Sequence, residues 1–322
     1  MLPQRDRFLL SLMLSLILAG GSSSILRASD SFAEQQHRQL RAQFESTSAW
    51  FQQQTTPYSA DALDGLDWLL KTAFTQGWYA DLKPVLSAVE EEASLTENLR
   101  KEAAKLELLG LAAEDSSEGA LQGYVDHLKT IRIRQPNDTL ELAYALSAQF
   151  QINGDYSAAR EVYRRTIDAF FLNEQVRVIC ERRQAKLLLA GESAPELTAG
   201  ELKLSDQRGK YVLIDFWATN CAPCLIDLPH LKSVARRFQG ESFQILGVSF
   251  DTDVTFLNDF RNRQRIDWPT PLLESVNSKA RENYRVVTIP STFLVDPEGK
   301  IVLVDGQARD VALLLEQRLG AE

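Results

Sequence analysis

The chain has 322 residues, 44% of them hydrophobic and 25% charged. That composition suits buried cores, and the length exceeds what one ordinary domain uses, so two domains are expected. A net charge of −9 and a pI near 5.1 exclude non-specific nucleic-acid binding, which needs a basic surface.

Arg5 and Arg7 precede an apolar run from Phe8 to Leu18, and small residues follow at Ala19-Gly20-Gly21-Ser22. A basic start, a short apolar core and a small-residue exit predict a signal peptide over residues 1–28, cleaved between Gly21 and Ala28. The run is short for a membrane span, and an uncleaved anchor is the alternative. No cysteine follows it to carry a lipid. The expected location is periplasmic or otherwise extracytoplasmic, where disulfides persist.

Residues 29–190 predict an all-α domain. Apolar residues recur at helical spacing in Leu63, Leu66, Leu69, Leu70, Ala73 and Phe74, and again in Leu99, Ala103, Leu106 and Leu109. Leu140, Ala143, Leu146 and Phe150 repeat the pattern. Connectors such as Gln76-Gly77 and Gln135-Pro136-Asn137-Asp138 are short, so neighbouring helices should run antiparallel, about seven in all. The segment Asn153-Gly154-Asp155-Tyr156-Ser157-Ala158-Ala159, followed by Tyr163, resembles the turn and second helix of a tetratricopeptide repeat. One such unit supports repeat-like helical hairpins, with a plain bundle as the alternative. Stacked hairpins offer a concave face for a protein partner. Cys180 reads as a buried helical filler, with a third redox partner as the other reading.

Helical periodicity stops at Gly191-Glu192-Ser193-Ala194-Pro195, and a second domain is expected over 191–322. Strands are predicted at 212–216, 243–250, 291–295 and 301–304, and helices at 223–238, 254–263, 278–284 and 311–319. Asp310 is the expected N-cap of the last helix and Gly320 its end. Strands alternating with helices, closed by a hairpin at Asp296-Pro297-Glu298-Gly299, give an α/β fold with a central mixed sheet.

The chemistry centres on Cys221-Ala222-Pro223-Cys224, placed between the first of these strands and the first helix. A helix N-terminus supplies unpaired N–H groups and partial positive charge, so the first cysteine can ionise near neutral pH and act as nucleophile. Cys221 should carry the more exposed sulfur, and Cys224, one turn on, should be the resolving thiol. A zinc half-site lacks two further ligands of suitable spacing, since only Cys180, His37, His127 and His230 remain. A purely structural disulfide and a chance pair are the other readings.

Asp215 lies six residues before Cys221, Pro229 eight residues after it, and Thr288-Ile289-Pro290-Ser291-Thr292 far downstream. With Asp215-Phe216-Trp217-Ala218 leading into the cysteines, the chain from about 191 to 322 resembles the thioredoxin superfamily. The lead-in Gly209 to Ala218 and the tail Leu294 to Val302 are similar to its TlpA/ResA-like branch, whose members are extracytoplasmic thiol–disulfide oxidoreductases. The resemblance implies a redox-active Cys221–Cys224 disulfide, a cis Pro290 facing it and Asp215 as the base for the buried thiol. Trp217, Ala222, Pro223, Ile289 and Pro290 would border the substrate. Asp227 stands where a glutamate is common, as a pKa modulator of shorter reach. Asn220 replaces the bulky residue often found before the first cysteine.

The function expected is reduction of protein disulfides, with no metal or organic cofactor, because the dithiol carries two electrons. Disulfide-bonded proteins are the expected substrates, and a membrane thiol-transfer protein is the expected electron source. Two alternatives are a thiol peroxidase on the same fold and a helical scaffold with an accessory C-terminal domain. The peroxidase pattern P-x-x-x-[TS]-x-x-C finds Ile214 and Ala218 before Cys221, and Trp217 and Cys221 before Cys224, so neither cysteine fits.

Overall fold

A computed structural model describes residues 32–320 apart from 90–91, 93–94, 115–116, 132–135, 239–242 and 277–278. The predicted signal peptide lies outside the described residues. Among these, no helix is long and apolar enough to cross a membrane.

The N-terminal part is helical throughout: α1 (Phe32–Phe51), α2 (Ala60–Gln76), α3 (Lys83–Val89), α4 (Glu97–Ala113), α5 (Ser117–Ile131), α6 (Pro136–Ile152), α7 (Tyr156–Ala169) and α8 (Glu174–Lys186). Capping residues set the boundaries. Ser59, Thr96, Asp155 and Asn173 each accept a backbone N–H from the first turn of the helix they precede. The α6–α7 turn closes as its sequence suggests. Gly154 takes φ 82°, Asp155 accepts the Ala158 N–H at 2.9 Å, and Ala158, Ala159 and Tyr163 are buried.

The C-terminal part begins with a short antiparallel pair, β1 (Thr198–Ala199) and β2 (Leu202–Lys203), which the sequence pattern did not indicate. Then come β3 (Tyr211–Trp217), α9 (Ala222–Arg237), β4 (Phe243–Ser249), α10 (Val254–Gln264), α11 (Ala280–Asn283), β5 (Ser291–Val295), β6 (Ile301–Val304) and α12 (Ala308–Leu319). The sheet order is β4-β3-β5-β6, with β3 parallel to β4 and antiparallel to β5, and β5 antiparallel to β6. This mixed four-stranded sheet, with α9 feeding from its central strand, is a thioredoxin-like fold.

One expected cap changes its role. Helix α12 starts at Ala308, not after Asp310. Asp310 is buried in the first turn, and its carboxylate accepts the Gln307 N–H at 2.8 Å. An aspartate three residues inside a helix can bond back to the entering backbone, so it serves the start without being the first cap.

Alternation along β3 divides the core. Val212, Ile214 and Phe216 face a hydrophobic cluster that continues through Tyr284 and Phe293 into the helical part, as far as Phe44 on α1. Leu213 faces α9 and α12, packing with Leu231, Val234, Val311 and Leu315. Both clusters draw on helical-part residues; Ala148 and Ile152 of α6 belong to the second. Just past the boundary, backbone bonds fasten the start of the C-terminal part to β6, with Gly191 N–H to Ile301 O at 2.8 Å and Ile301 N–H to Glu192 O at 2.9 Å. At Gly77, φ is 76° and a β-carbon would lie 2.2 Å from the Leu313 side chain of α12, so a larger residue in the turn after α2 would be strained and would displace Leu313.

Candidate active site

Strand β3 carries the chain along the centre of the sheet and releases it at Trp217. The turn 218–220 then reverses into α9, with the Cys221 N–H donating to Ala218 O at 3.2 Å. Cys221 is the N-cap of α9. Its backbone is extended (φ −86°, ψ 100°) and its Sγ accepts the Cys224 N–H at 3.4 Å. Pro223 sits in the first turn, where a missing N–H costs nothing. Cys221 and Cys224 form a disulfide with a Cα–Cα separation of 5.3 Å. Ala222 and Pro223 between them are exposed.

The expected contrast in burial between the two cysteines is slight in this oxidised state: Cys221 is 9% exposed and Cys224 7%. Both belong to an apolar cluster with Trp217, Ala218, Leu228, Leu257, Ile266 and Leu272, against which Ile289 packs. Forming the disulfide pulls the first sulfur towards the second, so the sequence position at the helix start does not translate into a prominent side chain.

Asp215 lies on the α9 face of β3, in register with Gly247 on one side and Thr292 on the other. It is buried. Loss of water pushes its carboxyl up from 3.8 to about 7, and the Asp227 carboxylate adds to the rise. Asp227 is half-buried. Burial raises its pKa, while the backbone N–H of Ala308 at the start of α12 stabilises its charged form and opposes the rise. A carboxyl poised near neutrality can both accept and return a proton.

Trp217 is buried with its ring 5.9 Å from that of Phe260. Gly247 makes room for it, since a β-carbon there would lie 3.0 Å from the indole Nε1. The Ile289–Pro290 peptide bond is cis. Ile289 is half-buried against the cysteine cluster, and Pro290 is exposed. Asn220, Pro229 and His230 are exposed. Cys180 is a free, fully buried cysteine, and burial pushes its thiol up to about 12. Among the described residues, no group of three or more His, Cys, Asp and Glu side chains is placed to hold a metal ion.

The sequence pattern missed one clamp. Asp251, just beyond β4, takes the Thr219 N–H at 3.0 Å on one carboxylate oxygen and the Thr219 hydroxyl at 2.6 Å on the other. The Ser249 hydroxyl donates to the same carboxylate at 2.6 Å, and the Phe250 N–H donates to Trp217 O at 2.8 Å. The turn delivering Cys221 is thus pinned to the end of the neighbouring strand. Nothing local signals a pair 32 residues apart.

Comparison with known proteins bears on the C-terminal part. Residues 190–304 match the sequence profile of the AhpC/TSA family. Thiol-disulfide oxidoreductase ResA of Oceanobacillus iheyensis is 26% identical over 125 residues, covering 36% of this chain and 64% of that protein. Thiol-disulfide oxidoreductase ResA of Bacillus subtilis is 31% identical over 119 residues, covering 35% of this chain and 65% of that protein. The chain thus spans just under two thirds of the length of these curated relatives. A thiol:disulfide interchange protein from Bacteroides sp., solved in solution, is 31% identical, with 41% of this chain and 90% of that chain covered at a TM-score of 0.38.

Proposed function

We propose that this protein is an extracytoplasmic thiol–disulfide oxidoreductase that reduces disulfides in other proteins. The observation that carries the reading is the Cys221–Cys224 disulfide at the N-terminus of α9, together with Asp215 buried on the α9 face of β3 with its carboxyl pushed up to about 7. The names of the two curated relatives support it, as does the apolar run after Arg5 and Arg7 for export.

In the reduced protein the Cys221 thiolate attacks one sulfur of a substrate disulfide. A mixed disulfide forms and the first substrate thiolate leaves. Asp215 takes the proton from the Cys224 thiol, which then attacks the Cys221 sulfur. The second substrate thiolate leaves and picks up a proton. The substrate gains two electrons, and the protein ends with the Cys221–Cys224 disulfide. Trp217, Ala222, Pro223, Ile289 and Pro290 border the place where the substrate lies, and Asp227 tunes Asp215. No organic cofactor or metal enters this cycle. Electrons return through a second exchange with a membrane thiol-transfer protein.

Insulin reduction coupled to a dithiol donor tests the reading. Turnover that disappears in Cys221→Ala is expected, with no turnover of hydrogen peroxide. Peroxide turnover without insulin reduction would move the assignment to a thiol peroxidase. Neither activity would leave the helical part, as a binding scaffold, to explain the protein.

A further inference from the structure

The last turn of α8 reaches across the join to the segment that carries the cis-proline. Lys186, the final residue of α8, has a side chain only 7% exposed. Its Nζ donates to Ser291 Oγ at 3.0 Å and to Asp305 Oδ1 at 2.6 Å, and lies 2.5 Å from Asp305 Oδ2. Ser291 is the residue after Pro290. Its hydroxyl donates to Thr288 O at 2.8 Å, so the ammonium, by occupying the oxygen, directs that proton back across the proline turn. One residue earlier, the carbonyl of Ala185 accepts Arg285 Nη1 at 2.8 Å. Both ends of 285–291 therefore hang from the end of one helix.

The far anchor is fixed as well. Asp305 follows β6, sits at φ 54° and donates its N–H to Thr292 O at 2.8 Å. Arg183, one turn before Lys186, lies over the Tyr144 ring at 3.7 Å and 3.7 Å from the same Asp305 carboxylate. A buried ammonium is a costly way to join two parts of a protein, since an apolar contact does that without desolvating a charge. What the charge adds is direction, because it sets the Ser291 hydroxyl and through it the Thr288 carbonyl.

We infer that Lys186 is a positioning residue for the disulfide-exchange site: through Ser291 it fixes the cis-proline segment against which a protein substrate lies, and so makes the helical part a component of the site. This rests on the oxidoreductase reading above.

Two variants test it without leaving the Lys186 ammonium or the Asp305 carboxylate as a lone buried charge; Arg183, which loses Asp305 in the second, keeps its place over the Tyr144 ring. Ser291→Ala keeps the Lys186–Asp305 pair, and the double change Lys186→Met with Asp305→Asn removes both charges together. Initial rates are measured on insulin, whose backbone must dock, and on cystamine, which has none. In both variants kcat/KM for insulin is expected to fall about tenfold, mainly through KM, with cystamine reduction within about twofold of wild type. Hydrogen exchange of 285–291 should be about tenfold faster while 211–217 is unchanged.

Unchanged insulin kinetics in both variants, with an active wild type, would overturn the inference alone. An equal fall on both substrates would overturn it too, by assigning Lys186 a global structural role. A wild type inert toward both disulfides would instead overturn the oxidoreductase reading, and this inference with it.

Discussion

Gln151, on the last turn of α6, pairs its side-chain amide with both backbone groups of Val304, the last residue of β6. Its Oε1 accepts the Val304 N–H at 2.7 Å, and its Nε2 donates to Val304 O at 3.3 Å. β6 is an edge strand, so these groups have no strand partner on that side. A side chain from the helical part does the work of another strand, which is one way to cover an exposed edge.

Replacing Gln151 by Leu keeps the volume and orphans two buried backbone groups. Each orphan costs about 1–3 kcal/mol, so a loss of about 3 kcal/mol in unfolding free energy is expected. Urea unfolding of the oxidised protein measures it. A change under about 0.5 kcal/mol, the range of neutral surface substitutions, would mean water replaces the amide without cost.

The same join bears on the domain boundary. The expected units, 29–190 and 191–322, share hydrophobic clusters, and Lys186 is paired with Asp305 across them. A 191–322 fragment exposes the inner face of β3 and β5 along that join, so it is expected to melt well below the full chain or to aggregate. Calorimetry on both proteins decides this. Equal melting temperatures would show that the C-terminal part holds its own core.

Asp215 should make stability depend on pH. Its carboxyl is raised in the folded state, from 3.8 to about 7, so the folded protein holds a proton that the unfolded chain has lost between those values. The contribution of Asp215 to stability is therefore fullest below about pH 4, declines as pH rises towards 7, and levels off above it, by an amount on the order of 4 kcal/mol. Asp215→Asn removes the titration, so the variant should gain on wild type most at pH 8. Parallel pH–stability curves for the two would place the titration elsewhere. In exchange, the same variant should slow release from the mixed disulfide by about 10²-fold and the first attack much less.

Alkylation should separate the three cysteines of the reduced, folded protein. The Cys224 N–H points at the Cys221 sulfur and favours its thiolate, whereas burial holds the Cys180 thiol at about 12. A short iodoacetamide pulse should label Cys221 first, Cys224 later and Cys180 only after unfolding. Early label on Cys224 would reverse the roles assigned to the pair.

Elements made by local pattern were legible in the sequence. Strands β5 and β6 fall where alternation and the Pro297-Glu298-Gly299 turn put them, and β3 and α9 differ from expectation by a residue at each end. The cis bond at Pro290 followed from resemblance, not from any local signal. Pairs distant in sequence were not legible. Thr219 with Asp251, Lys186 with Ser291 and Gln151 with Val304 are 32, 105 and 153 residues apart, and no periodicity links them. Asp310 shows a subtler limit, because the same residue type can begin a helix or bond back to its beginning from inside.

The central claim is that Cys221 joins covalently to protein substrates and Cys224 resolves the adduct. Trapping with Cys224→Ala in the native host tests it most directly. The account predicts mixed disulfides attached through Cys221, released by a reductant and absent when Cys221 is also replaced by alanine. Recovery of Cys224→Ala free of any such adduct, from cells in which the wild-type protein cycles between its oxidised and reduced forms, would contradict it.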